Sequence, residues 1–320
     1  MTAWVEVPFQ AQAEQSGRRV DAFLAMRLKR YSRSQVQRLI EQGRVLLRGR
    51  AVKASTRVVS GETVVIRYPK TNEPPCAHSS LSVLHEDADL LAVDKPGGVL
   101  SHPTDKVLAN SVTSILAGQF PGKKLHLAHR LDRETSGVLL LCRSPQAARA
   151  LVSQFENRRV AKEYLAVVRG RVPWARIRVG SPISSEGGEI KVRQAAGALE
   201  GSPAFTEFLR VSTAVGASLV RALPKTGRLH QIRVHLASLG HPVLGDKLYT
   251  GRGEAYLNAC RHELTDEDLL SLGAPRQMLH ALRVRFAHPA DGRPMDISAP
   301  IPTDMRQCMG SAGLSMCSKL

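Results

Sequence analysis

His129-Arg130-Leu131-Asp132-Arg133-Glu134-Thr135-Ser136-Gly137, running into Val138-Leu139-Leu140-Leu141-Cys142, is the stretch on which the reading of this chain turns. Five consecutive apolar residues after a polar, glycine-ended segment read as a strand covered on both faces. The polar segment is then a loop at the edge of a core, and its Asp132 lies between two arginines that would keep it ionised. Taken alone, that acid fits a loop-fixing salt bridge as well as it fits a reacting carboxylate.

Strand patterns recur on either side, at Leu90 to Val93, Tyr164 to Val168, Ala204 to Val211, Leu219 to Leu223 and Ala281 to Phe286. Helices are predicted at Val112 to Ala117, at Ser144 to Asn157 with Ser144 as cap and Pro145 in the first turn, and at Leu229 to Leu239, ending at Gly240. Most strands follow one another without an intervening helix. That indicates an α+β domain built on a mostly antiparallel or mixed sheet flanked by helices, not a doubly wound one. At about 100° per residue, Leu229, Ile232, Leu236 and Leu239 form an apolar stripe. Arg233 falls about 40° from Leu229, at the edge of the buried face, where a carboxylate partner would fix it.

A different unit precedes this one. Val20, Phe23, Leu24 and Leu28 recur at helical spacing, as do Val36, Leu39 and Ile40, with Ser32 as cap and Gly43 as stop. Short β-branched runs follow. Residues 18 to 70 carry 14 Lys and Arg against three acids, so they supply most of the formal +17 of the 320-residue chain. Such a concentration of charge points to polyanions, with Arg33, Arg38, Arg44, Arg48, Arg50 and Lys53 as candidate phosphate contacts. The phrase SRSQVQRLIEQGRVLLRGRAVKAS (Ser32 to Ser55), with GETVVIRY (Gly61 to Tyr68), resembles the two-helix, small-sheet RNA-binding module first described in a small-subunit ribosomal protein. The resemblance implies binding of structured RNA.

Other classes are set aside by what the chain lacks. It has no glycine-rich dinucleotide or P-loop motif, and no paired zinc-deaminase motif, so no cofactor is expected. His126 and His129 have metal-ligand spacing but no third ligand nearby, so no metal is expected either. Five scattered cysteines, none in a CxxC pair, fit a reducing compartment. No apolar stretch approaches a membrane span, and the amino terminus does not read as a signal peptide. The final Ser318-Lys319-Leu320 matches a peroxisomal address, but three residues arise readily by chance, and a cytoplasmic monomer is expected.

The nine residues from His129 are similar to the signature of the RluA-type RNA pseudouridine synthase family, in which the aspartate is essential. Three further phrases match in family order: Asp94-Lys95-Pro96-Gly97-Gly98, Lys162-Glu163-Tyr164, and Lys225 to His235, continuing to Tyr249. The resemblance spans about residues 18 to 300. It implies Asp132, Tyr164 and Arg233 as the catalytic group, and Arg130 as the side chain that fills the space of a flipped base. It also implies His129, Leu131, Lys162, Arg228 and His230 as supporting residues. The basic module favours large-subunit ribosomal RNA as target. The same chemistry on transfer RNA, or a non-catalytic ribosome-assembly role, remains open here. The expected organisation is an arm at 1–16, the RNA-binding module at 17–69, a linker at 70–80, the catalytic domain at 81–300 and a loose tail at 301–320.

Overall fold

The strand that follows the nine-residue loop is the centre of the larger unit. In the computed structural model, which describes residues 4–28, 31–69, 77–104, 107–198 and 200–316, Ser136–Cys142 is buried at every position. Residues 70–76 of the expected linker, Cys76, Cys317 and the terminal Ser318-Lys319-Leu320 lie outside the described residues. The described residues fall into two compact units, one within 1–74 plus 104–108, the other within 75–103 plus 109–320.

In the first unit, strands β1 (Trp4–Gln10), β2 (Val45–Leu47), β3 (Arg50–Ala51) and β4 (Thr63–Pro69) form a sheet in the order β1-β4-β2-β3. Helices α1 (Val20–Arg27) and α2 (Arg33–Glu41) contribute Val20, Phe23, Leu24, Val36, Leu39 and Ile40 to a core shared with Val45, Val64 and Ile66. Ser32 caps α2 by accepting from the Gln35 amide, and Gly43 follows the helix at φ 68°, a left-handed turn that favours glycine.

The expectation of a separate arm at 1–16 is corrected here. Trp4–Gln10 pairs with all of β4, from Trp4 opposite Pro69 to Gln10 opposite Thr63. The alternation of Val5, Val7 and Phe9 with Glu6, Pro8 and Gln10 is a strand pattern, and pairing satisfies the open edge of β4.

In the second unit, ten strands among the described residues form one mixed sheet. Its path runs β10 (Arg176–Val179), β13 (Thr206–Ala214), β14 (Ala217–Pro224), β9 (Ala161–Arg169), β15 (Leu279–Ala287), β8 (Ser136–Cys142), β6 (Leu90–Lys95) and β5 (Ser82–Glu86). β7 (His126–Leu127) pairs with β8, and β16 (Pro294–Ser298) with β15. A small hairpin, β11 (Ile183–Ser185) with β12 (Gln194–Ala196), stands off this path. Both faces of β8 are covered. Leu139 and Leu141 pack with Leu91, Val93 and helix α3 (Val112–Gln119), while Val138 and Leu140 pack with Leu90, Ala92 and helix α4 (Pro145–Glu156).

β8 meets β15 as a parallel pair, with Ser136 opposite His280 and Gly137 opposite Ala281. Gly137 makes this possible. It sits at φ 107°, and a Cβ there would lie 2.2 Å from the Ala281 carbonyl oxygen.

Three further helices among the described residues are α5 (Gln231–Ser238), α6 (Glu254–Arg261) and α7 (Asp266–Leu272). A last one, α8 (Thr303–Ser311), occupies the segment expected to be a loose tail. Met305 and Met309, one turn apart, and then Leu314 are buried in the core formed by β9, β13 and β14. Arg276 ties the helix down further through a two-toothed ion pair with Asp304, at 2.6 and 2.9 Å. The pattern was weak because methionine and glycine make a thin apolar stripe. Met305→Ala should lower the stability of the unit by about 2–5 kcal/mol, read as a fall in the urea unfolding midpoint.

Candidate active site

The loop from Ala128 to Thr135 links β7 to β8 and forms one wall of a cavity of about 410 Å³. Several contacts hold it. Leu131 is buried beside α3 and β8, and the Ser101 hydroxyl accepts from the Leu131 amide at 3.0 Å and donates to its carbonyl at 2.8 Å. The Lys95 amine is fully buried and donates to the carbonyls of Pro96, Val99 and Arg133 at 2.6 to 2.9 Å. Burial, helped by the charge of Arg276, pushes that amine down to about 7. At the far end, Glu134 pairs with Lys247 at 2.7 Å and Gln277 donates to the Thr135 hydroxyl at 2.6 Å.

His129 behaves as a scaffold residue. Its Nε2 accepts from the Leu140 amide at 3.1 Å, its ring lies 4.7 Å from that of Phe155, and burial pushes it down to about 4. It is uncharged at neutral pH.

Asp132 faces the cavity half-buried. Arg233 Nη1 donates to its Oδ2 at 2.8 Å, across 101 positions of sequence. Burial alone would raise this carboxyl. The Arg233 guanidinium leads the neighbouring groups, His230 and Arg130 among them, that together outweigh that penalty, and the carboxyl is held below its ordinary value.

Arg233 is in turn gripped from behind. Asp246, fully buried, accepts from Arg233 Nε at 2.6 Å and from Nη2 at 2.8 Å, and its Oδ1 also receives the Leu248 amide at 3.0 Å. The ring of Tyr249 lies 5.1 Å from the guanidinium carbon. Gly245 places the acid. It has φ 76°, and a Cβ there would lie 1.8 Å from the Arg276 carbonyl oxygen.

α5 differs from the helix expected from the apolar stripe. Leu229 is exposed and lies before the helix, His230 is left-handed at φ 55°, and the helix starts at Gln231. Gln231 to Leu236 are all buried, so Arg233 stands inside the unit at 5% exposure and not at an edge. The stripe misled because Thr206, Gln231 and His235 form a buried polar layer. The Gln231 amide donates to the Thr206 hydroxyl at 2.9 Å, and His235 Nδ1 lies 3.0 Å from that hydroxyl.

Tyr164 lines the same cavity from β9, where its sheet neighbours are the small Ala222 and Ala281. Burial, and then the charge of Asp132, raise its phenol above the ordinary value. Lys162, two residues earlier and on the same strand face, donates to the Thr226 carbonyl at 2.9 Å and is pushed down to about 8 by burial. Arg130 reaches the cavity exposed. Arg228 does so with its Nε donating to the Pro203 carbonyl at 3.1 Å. The structure thus brings Asp132, Tyr164, Arg233, Arg130, His129, Leu131, Lys162, Arg228 and His230 to one cavity.

In the first unit the basic residues divide. Arg33 is bound to the buried Asp21 at 3.2 Å, together with Arg19, and Arg48 pairs with Glu62. No ion-pair partner occurs among the described residues for Arg38, Arg44, Arg50 or Lys53, and all four are exposed or half-exposed. Arg33 and Arg48 therefore differ from the other four in being partly neutralised within the unit.

A family model described as RNA pseudouridylate synthase matches residues 89–238, and an S4 domain model matches residues 18–64. An RNA pseudouridine synthase of Chlorobaculum parvum is 35% identical, over 91% of this chain and 93% of that protein. Ribosomal large subunit pseudouridine synthase C of Pasteurella multocida is 31% identical over 93% of this chain and 91% of its own length. Ribosomal large subunit pseudouridine synthase D of Xanthomonas campestris is 34% identical over 92% and 89%. The solved structure of human RNA pseudouridylate synthase domain containing 4 matches with a TM-score of 0.59 and 26% identity, covering 73% of this chain and 94% of that one. The chain belongs to the RNA pseudouridine synthase family, and its enzymatic class is that of an isomerase acting on RNA.

Sequence reasoning missed Asp246, Ser101, Arg276, Gln277 and Tyr249. One signal was available: a buried guanidinium has five donors, and a single carboxylate cannot satisfy them, so a second acid near Arg233 was to be expected. Asp246→Asn should destabilise the unit by about 3–5 kcal/mol, since it leaves a buried cation half-paired; thermal unfolding of the full chain measures it.

Proposed function

We propose that this enzyme converts uridine to pseudouridine in large-subunit ribosomal RNA, with Asp132, Tyr164 and Arg233 as its catalytic group. The observation that carries the reading is the ionised Asp132, fixed by Arg233 at 2.8 Å on the wall of a cavity large enough for a nucleoside.

The isomerisation breaks the bond between ribose C1′ and uracil N1 and forms one between C1′ and C5. A proton leaves C5 and one is taken up at N1, so nothing is consumed. Asp132 supplies an ionised oxygen beside the reacting bond, and the gripped Arg233 keeps it ionised and in place. The neutral Tyr164 offers a ring for the base to stack on and a hydroxyl for proton transfer. Bringing a uridine into the cavity requires flipping it from its stack, at a cost of a few kcal/mol. Arg130, exposed beside Asp132, is placed to fill the space it leaves. His129 and Leu131 hold the loop, and Lys162 and Arg228 brace the opposite wall.

Two observations favour ribosomal RNA. Relatives alike over most of their length bear the name of ribosomal large subunit enzymes. The S4 domain presents Arg38, Arg44, Arg50 and Lys53 without internal ion-pair partners among the described residues, a surface suited to the phosphates of folded RNA. A monomer acting in the cytoplasm, where ribosomal RNA is met, is part of this reading.

Carbodiimide mapping of ribosomal and transfer RNA incubated with the protein tests this directly. New pseudouridine is expected in large-subunit RNA, none with Asp132→Asn, and unchanged RNA binding by that variant; modification confined to transfer RNA would refute the target. The pH profile offers an independent check. Because Arg233 holds Asp132 below the ordinary carboxylate range, kcat/KM should stay flat as pH falls to about 5. In Arg233→Gln, burial acts without the compensating cation, and the acid limb of the residual activity should move to higher pH.

A further inference from the structure

His230 enters the cavity wall on a backbone that few residues adopt, with φ 55° and ψ 16° just before α5. Histidine is among the few residue types that tolerate this conformation, and here it turns the imidazole towards a relay of two hydrogen bonds. His230 Nδ1 lies 3.0 Å from the Tyr249 hydroxyl, and that same hydroxyl accepts from the Gln194 amide at 3.0 Å. A backbone N–H can only donate. The phenol proton is therefore left for His230, and Nδ1 is the acceptor. The reverse arrangement would strand a buried phenol proton without a partner, which is unfavourable.

A neutral imidazole that accepts at Nδ1 carries its proton on Nε2. The ring is neutral because burial, followed by the charge of Arg233, pushes it down to about 4. Tyr249 cannot swing away to release the tautomer, since its face lies against the Arg233 guanidinium at 5.1 Å and a second arginine, Arg193, lies 5.6 Å from the ring centre. Nε2 has no hydrogen-bond partner within the protein among the described residues, although the ring lines the same cavity as Asp132 and Tyr164. Three of the five N–H groups of Arg233 go to the carboxylates of Asp132 and Asp246, which hold that side chain in place.

We propose that His230 is a substrate-contacting residue that offers Nε2–H, as an uncharged donor, to a carbonyl oxygen of the flipped uracil, with Tyr249 and Gln194 fixing its tautomer. This rests on the reading that the Asp132 cavity receives the target uridine. The absence of charge matters. An imidazolium would be drawn to Asp132 and would compete for its second oxygen, Oδ1, which no protein group among the described residues engages. A neutral donor holds the base without quenching the carboxylate. The hairpin strand β12, which supplies the Gln194 amide, thereby becomes part of the site although it lies outside the large sheet.

The test has two arms. The first is nitrogen-15 NMR of the histidine rings in the full chain without RNA. His230 should show a protonated Nε2 and a bare Nδ1, and Tyr249→Phe, which keeps the ring over Arg233, should give mixed tautomers. A His230 protonated at Nδ1 in the unaltered protein overturns the proposal. The second arm is single-turnover modification of a ribosomal RNA fragment carrying uridine, 2-thiouridine or 4-thiouridine at the mapped site. His230→Ala should slow the uridine reaction about tenfold, as expected for one lost hydrogen bond. His230→Gln, whose amide N–H can reach the place of Nε2, should recover most of that rate. One of the two thio substrates, the one whose weaker acceptor faces His230, should slow the unaltered enzyme but not His230→Ala. Equal sensitivity of both enzymes to both thio substrates overturns the contact. If His230→Ala unfolds, Tyr249→Phe with the same substrates replaces it. Lack of any modification by the unaltered protein would count against the uridine reading itself, and the NMR arm would still report on the tautomer.

Discussion

One guanidinium shared between two carboxylates organises the catalytic unit. Arg233 binds Asp246 on its buried side and Asp132 on its cavity side, so that three charges 13 and 101 residues apart in sequence become a single rigid row. The division of labour follows from burial. Asp246 is fully enclosed, receives backbone amides as well, and serves as the anchor. Asp132 is partly exposed and has one oxygen turned to no protein group among the described residues, so it is the end open to the cavity. Removing a buried ion pair's partner leaves an uncompensated charge, which is why neither end is easily altered without the other. A lysine in place of Arg233 could not reach both acids at once, since its single point charge lacks the planar fork.

The framework around that row exists to keep one loop still. Lys95 binds three carbonyls, Ser101 brackets the Leu131 peptide, and Arg276 reaches from Asp304 to the Glu134 carbonyl at 2.9 Å. Each contact comes from a different segment of chain, so the loop is fixed by the whole fold and not by its own short-range structure. Even the last helix takes part, through Asp304.

Much of this was legible in the residues. The VLLLC run, the Ser144 cap with Pro145 behind it, and the Gly43 stop are local signals, and local structure obeys them. The loop, the Lys162–Tyr164 pair and the Arg233 helix could be linked because their order along the chain matched a family. What stayed hidden were contacts between distant segments, which leave no periodic trace. Asp246 follows Gly245 in a turn with no pattern of its own, and His230 reads as the second residue of a helix that in fact begins after it. Trp4–Gln10 had a clear alternation, but its partner strand lies some sixty residues away, and an isolated strand carries no signal of what it will pair with. The carboxy-terminal helix failed for a simpler reason: Met305 and Met309 are a sparse stripe among polar residues.

The parallel contact between β8 and β15 has a consequence for how the enzyme comes into being. Ser136 and His280 are 144 residues apart, and closing so long a loop is entropically slow compared with forming a hairpin. A chain growing from its amino terminus therefore makes the nine-residue loop before Arg233, Asp246, Arg276 and Asp304, which follow it by about 100 residues or more. The amino-terminal module, by contrast, closes its sheet within the first 69 residues. The order of the chain thus lets the amino-terminal sheet close before the segments that complete the cavity have been made.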